Sequence, residues 1–180
     1  MSRLLTYDGT VTSAARQRDE VDELLAAWQR ERPEADVEPL AVLSRVTRLA
    51  KYLDSARRQA FTEVGLETWE FDVLAALRRA GRPYSLSPGL LGSATLVTSG
   101  TVTNRVDRLE LRGFVRREPD ADDRRGIRVV LTEQGRQVVD QALDDLLMRE
   151  RAILSALSGQ QRAQLANLLR TLVLTFDQPA

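Results

Sequence analysis

The period of the chain changes at Gly113. Upstream, residues 98–112 carry Val102, Val106 and Leu109 at steps of four and three, the repeat of a helix buried along one face. Downstream, Phe114-Val115-Arg116-Arg117-Glu118 and Ile127-Arg128-Val129-Val130-Leu131 are short runs rich in β-branched residues. Between them lies Pro119-Asp120-Ala121-Asp122-Asp123-Arg124-Arg125-Gly126, a polar stretch suited to the tip of a hairpin. A helix stopped by glycine and followed at once by a basic hairpin leaves few architectures open.

The flanks narrow the choice. Helical spacing is expected over 12–30 (Ala14, Val21, Leu24, Leu25, Trp28), and a Pro-containing loop follows over 31–39. A long stripe then runs through Val42, Val46, Leu49, Leu53, Ala56 and Ala60. Its alternating steps suit packing along another helix, although an ordinary core helix would show them too. A shorter helix over 68–80 is buried through Phe71, Leu74 and Leu77, and Gly81-Arg82-Pro83 closes it. Ser87 and Pro88 are placed as N-cap and first residue of a brief helix over 87–94. Thr98 or Ser99 caps the helix that reaches Arg112. Thr132 caps a long helix through Val138 or Val139, Ala142, Leu146, Ile153 and Leu157. Ser158 with Gln161 forms a capping box for a last helix carrying Leu165, Leu168, Leu169 and Leu172. The expected fold is mainly α with a small β-hairpin wing: a winged helix-turn-helix held between long dimerisation helices. The corresponding divisions are an N-terminal arm and extra helix (1–38), a dimerisation helix (39–65), a winged helix-turn-helix domain (66–132) and C-terminal dimerisation helices (133–180).

Composition removes several classes of function. The 180 residues contain neither Cys nor His, so disulfides, thiolate metal sites and the commonest general base are all missing. No cofactor and no catalytic residue is expected. No apolar run approaches the roughly 18 residues that cross a bilayer, and the first ten residues lack a secretory signal, which together imply a cytoplasmic protein without a membrane partner. Twenty-six basic residues balance 26 acidic ones. Any affinity for a polyanion must therefore come from local clustering rather than net charge.

The arginines do cluster. Arg116, Arg117, Arg124, Arg125 and Arg128 fall within the hairpin, and Asp122 and Asp123 flank the tip arginines. A carboxylate there can hold a guanidinium in one orientation, so that Arg125 projects into a DNA minor groove. The same pattern would also serve a salt-bridged, soluble turn. On the preceding helix, Thr101, Asn104 and Arg108 lie opposite the apolar stripe. Hydroxyl, amide and guanidinium groups are what base edges and phosphates require, yet polar residues face solvent on any surface helix. The two segments in series point to double-stranded DNA. The candidate contact residues are Ser99, Thr101, Thr103, Asn104, Arg108, Asp123, Arg124 and Arg125. A winged helix used for protein contacts or as a scaffold is the competing reading.

The stretch from Leu66 to Gln141 resembles the MarR family of bacterial regulators. The likeness rests on Leu90-Leu91, Thr101-Val102-Thr103-Asn104-Arg105, Arg108-Leu109 and Gly113-Phe114-Val115. It continues in Asp123-Arg124-Arg125 and Val130-Leu131-Thr132-Glu133-Gln134-Gly135. The resemblance implies a two-fold homodimer, a pseudo-palindromic operator, and repression relieved by a small ligand. The extra N-terminal helix further resembles a urate-responsive, PecS-like subgroup, whose ligand set of Trp, Asp, Arg and Arg is supplied here by Trp28, Asp72, Arg105 and Arg117. Two guanidiniums can hold a planar or multiply charged anion such as a purine or tricarboxylate, with Asp72 pairing with Arg105 when the site is empty. Each of these residues also has an ordinary role open to it: Trp28 as a helix anchor, Asp72 as a helix N-terminal acid, Arg117 as a phosphate contact.

Overall fold

A computed structural model describes residues 18–120, 123 and 126–176. The elements in order are α1 (Glu20–Glu31), α2 (Glu38–Glu63), α3 (Thr68–Arg79), β1 (Ser85–Leu86), α4 (Pro88–Thr95), α5 (Ser99–Leu111), β2 (Val115–Pro119), β3 (Ile127–Leu131), α6 (Glu133–Ile153) and α7 (Gly159–Val173), with a short 3-10 turn over Leu154–Ala156. The chain forms two compact units, one ending at Tyr52 and the other beginning at Leu53, so α2 runs through the boundary. None of the described helices is long and apolar enough to cross a membrane.

In the first unit, α1 begins at Glu20 rather than near Thr12, whose segment up to residue 17 lies outside the described residues. Asp19 sets that start: its carboxylate accepts the amides of Val21 and Asp22, while the Asp22 side chain accepts the Asp19 amide. Arg45 on α2 grips the same cap, 2.9 Å from both Asp19 and Asp22. Its guanidinium holds the Asp19 carboxyl below the usual carboxylate range, assisted by the two amides.

The second unit holds the core. Phe61, Leu66, Phe71, Leu74 and Leu77 pack with Leu91, Val102, Val106, Leu109, Val115, Val129, Val139, Ala142 and Leu146. Helix α3 sits between α4 and α6, and α4 packs on α5. Ser87 caps α4 through the Leu90 amide with Pro88 at its first position, and the Ser158–Gln161 box starts α7, both as the local signals dictate. Helix α5 is capped at Thr98, but the Thr98 hydroxyl shares a 3.0 Å hydrogen bond with Thr101 instead of taking a helix amide. Along α6, Val139 is the buried member of the Val138–Val139 pair. That helix ends at Ile153, short of the expected Leu157, because the 3-10 turn intervenes.

Sequence periodicity missed one strand. Ser85 and Leu86 pair antiparallel with Val130 and Val129, so the sheet has three strands in the order β1-β3-β2. Two residues between Pro83 and Pro88 are too few to show an alternation. Arg128 secures this strand, donating from Nε to the Ser85 hydroxyl at 3.0 Å and from Nη2 to the Ser85 carbonyl at 3.1 Å. It belongs to the sheet rather than to a free basic tip.

Helix α7 has an unusual property. None of its 15 residues is buried, although it carries Leu165, Leu168, Leu169 and Leu172. On α2, Val42, Val46 and Leu49 are likewise exposed.

Candidate DNA interface

Helix α5 is seated by three buried side chains, Val102, Val106 and Leu109, which fixes the face it turns outward. Ser99, Thr103, Asn104 and Arg108 are exposed, and Thr101 is half-buried. The Thr103 hydroxyl donates back to the Ser99 carbonyl at 3.2 Å. Gly113, at φ 73°, ends the helix and turns the chain into β2. The hairpin tip closes through the Asp120 amide on the Gly126 carbonyl (2.9 Å) and the Gly126 amide on the Asp123 carbonyl (2.8 Å). Asp123 is exposed there; Arg124 and Arg125 lie outside the described residues.

Ion pairs hold α5 on two sides. Toward β2, Arg117 reaches Asp107 at 2.5 Å and also pairs with Glu110. Its backbone amide adds a 3.0 Å bond to Glu110. Partial burial works against the Arg117 cation, but the hydrogen bonds it donates to Asp107 and Glu110 outweigh it and raise its pKa above the ordinary guanidinium value. Toward the start of α3, Arg105, Arg108 and Arg112 recur at steps of three and four. Arg112 pairs at 2.6 Å with Glu70, which is only 1% exposed, and donates to the Gly65 carbonyl at 2.9 Å. Arg108 pairs with Glu67 at 2.8 Å and lies 4.6 Å over the Trp69 ring; Arg105 lies 5.5 Å from that ring. The Trp69 indole donates to Glu67 at 2.7 Å, and this bond, more than the Arg108 cation, keeps Glu67 below the usual carboxylate range.

The four residues of the expected ligand set have different surroundings. Trp28 is 48% exposed on α1 in the first unit. In the second unit Asp72 pairs with Arg57 at 3.3 Å and not with Arg105, which is drawn to Trp69 instead. Arg117 is held by Asp107 and Glu110 as above. The roles of Glu67, Trp69, Glu70 and Arg112 were absent from the sequence reading. The spacing of Glu67 and Glu70 is that of a capping box, but only the Glu70 side chain serves as a cap, accepting the Glu67 amide at 2.9 Å, while the Glu67 carboxylate turns to Trp69 and Arg108. The arginine ridge at 105, 108 and 112 was the other available signal.

A polar helix presented beside a hairpin wing, with both mounted on one core, defines a winged helix-turn-helix DNA-binding protein. Residues 64–126 match the model described as MarR family. The chain is 37% identical over 150 residues to the HTH-type transcriptional regulator PecS of Dickeya dadantii (strain 3937), spanning 83% of this chain and 90% of that one. Its fold matches Sco3205, a MarR family transcriptional regulator from Streptomyces coelicolor solved in complex with DNA, at a TM-score of 0.65 and 26% identity over 81% of this chain and 94% of that one. It also matches BpsR of Bordetella bronchiseptica, whose DNA binding is regulated by 6-hydroxynicotinic acid, at a TM-score of 0.60 and 26% identity over 73% of this chain and 92% of that one. The chain belongs to the MarR family. It is a DNA-binding transcription regulator, not an enzyme, and the scaffold reading falls away.

Proposed function

We propose that the chain is a dimeric repressor that occupies a pseudo-palindromic operator and leaves it when a small anionic metabolite binds. The dimer is supported by α7, a helix with four leucines and no buried residue. Soluble monomers rarely leave such an apolar face uncovered, and a second copy of the chain is the natural cover. On this reading Ser99, Thr101, Thr103 and Asn104 meet the major groove and Arg108 a phosphate at its edge, while Asp123 orients Arg124 and Arg125 at the wing tip.

The observation that carries the effector reading is that Arg105 and Arg117 both act on the recognition helix. Arg117 is bound to Asp107 and Glu110 of α5, and Arg105 of α5 lies over Trp69 of α3. An anion that takes either guanidinium competes with a contact that sets where α5 sits. Two half-sites about 34–36 Å apart tolerate little change in that position. A coupling of about 1–3 kcal/mol between effector and DNA would be enough to release the operator. Urate or another purine, citrate or aconitate, and aromatic acids all suit a pair of guanidiniums. The test is titration of urate, xanthine, citrate, aconitate and 6-hydroxynicotinate into a complex of the protein with the DNA upstream of its gene. At least one should release the DNA from wild type but not from Arg117→Ala. Release that Arg117→Ala leaves unaltered would place the effector elsewhere, and no release by any of them would remove the anionic effector while leaving DNA binding intact.

A further inference from the structure

Three arginines, two on α5 and Arg112 at its C-terminal cap, follow one side of that helix, and they are not equivalent. Arg112 is consumed by its surroundings: Glu70, the Gly65 carbonyl and the Phe114 ring, 4.6 Å away, take its guanidinium. Arg105 has an aromatic neighbour and sits half-buried. Arg108 is the intermediate case. Among the described residues its guanidinium makes one hydrogen bond, from Nη2 to Glu67, and one face rests on Trp69. Its Nε and Nη1 donors remain, on a side chain 51% exposed and on the helix that faces DNA.

We propose that Glu67 and Trp69 are positioning residues for DNA binding, holding the Arg108 guanidinium in the plane and direction in which its remaining donors meet a DNA phosphate. The proposal rests on the DNA-binding reading of α5. Arginine meets phosphate through a rigid fork, so the cost of contact depends on how much side-chain freedom must be surrendered. A carboxylate fixes one corner of the fork, and a ring beneath it fixes the plane. Trp69 also donates its indole N–H to Glu67, so the carboxylate that orients Arg108 is itself oriented. A single exposed pair of this kind is too weak to lock Arg108 away from DNA.

The proposal fixes the sign of an experiment. Glu67 is a negative charge at the edge of a DNA-facing surface. By Coulomb repulsion alone, its removal strengthens binding to a polyanion. Positioning demands the opposite. Binding of a labelled duplex from immediately upstream of the gene is measured by fluorescence anisotropy over a NaCl series for wild type, Glu67→Gln, Arg108→Ala and the double variant. Arg108→Ala should make the slope of log K against log salt shallower by roughly 0.9, the share of one phosphate contact. Glu67→Gln should weaken binding roughly three- to tenfold, in the range of one hydrogen bond, and should add nothing in the Arg108→Ala background. Trp69→Leu should behave like Glu67→Gln, and Trp69→Phe, which keeps a ring face, should lie nearer to wild type. That pair of variants carries the test if Glu67→Gln does not fold.

Equal or tighter binding by Glu67→Gln overturns the proposal, as does a Glu67→Gln loss that persists in full without Arg108. An Arg108→Ala variant with unchanged affinity and slope overturns it too. Wild-type protein that binds no duplex at low salt removes the DNA-binding reading itself, a result distinct from all of these.

Discussion

Replacing Gly135 with alanine should destabilise the second unit far more than one methyl group suggests. A Cβ at Gly135 would lie 2.1 Å from the Phe114 carbonyl oxygen and 2.9 Å from Leu131 Cδ1. Carbon–oxygen contacts sit at about 3.3–3.6 Å, so one of the two backbones must retreat by more than about 1 Å. Neither is free to do so. The Phe114 amide is bonded to the Leu109 carbonyl at 3.0 Å, and its carbonyl accepts from the Thr132 amide and hydroxyl, each at 3.0 Å. Thr132 in turn caps α6 by accepting the Gly135 amide. Moving α6 outward therefore breaks the cap and the joint between α5, β2 and α6 together. Overpacking of this kind costs about 1–3 kcal/mol, and a lost cap adds about 1 kcal/mol. Alanine returns up to about 1 kcal/mol of helix propensity. The net is about 1–3 kcal/mol, or a melting temperature lower by about 2–12 °C for a chain of this size. Thermal unfolding followed by circular dichroism reads it directly. Gly159→Ala, where an added Cβ meets nothing within 4 Å, is the matched control and should melt no lower than wild type. A Gly135→Ala protein melting within about 2 °C of wild type would refute the close-approach argument.

Sedimentation equilibrium should show a dimer at micromolar concentration. Leu168→Glu together with Leu172→Glu on α7 should shift it to monomer, and a wild-type monomer would leave the exposed leucines unexplained. At the wing, Arg125→Ala should weaken DNA binding without lowering the melting temperature, and Asp123→Ala should weaken it less. Equal affinity of Arg125→Ala and wild type near physiological salt would remove the minor-groove assignment.

What could be read from the sequence was whatever is encoded over a few residues. Ser87-Pro88, Thr132 and Ser158 with Gln161 place helix starts because the cap and the amides it satisfies are local. The stripe Val102, Val106, Leu109 gave the seat of α5 for the same reason. Strand β1 was illegible because two residues carry no period, and its existence depends on β3, more than 40 residues away in the chain. The same holds for the site. The polar face of α5 was visible, but its clamps were not: Glu67 and Arg108 are 41 residues apart, and no spacing rule joins them. The expected Asp72–Arg105 pair failed for a related reason. Both residues had a nearer choice in three dimensions, Arg57 for the acid and Trp69 for the cation. Charge complementarity in a sequence says which pairs are allowed, and packing decides which are made.

The most direct test of the central claim, that α5 and the wing bind specific DNA, is an equilibrium titration against two duplexes of equal length. One is the segment immediately upstream of the gene, and the other is the same composition shuffled. The account predicts tighter binding to the upstream segment, by roughly 10³-fold or more, with log K for both falling linearly against log salt. Equal affinity for the two duplexes, or binding insensitive to salt, would contradict it.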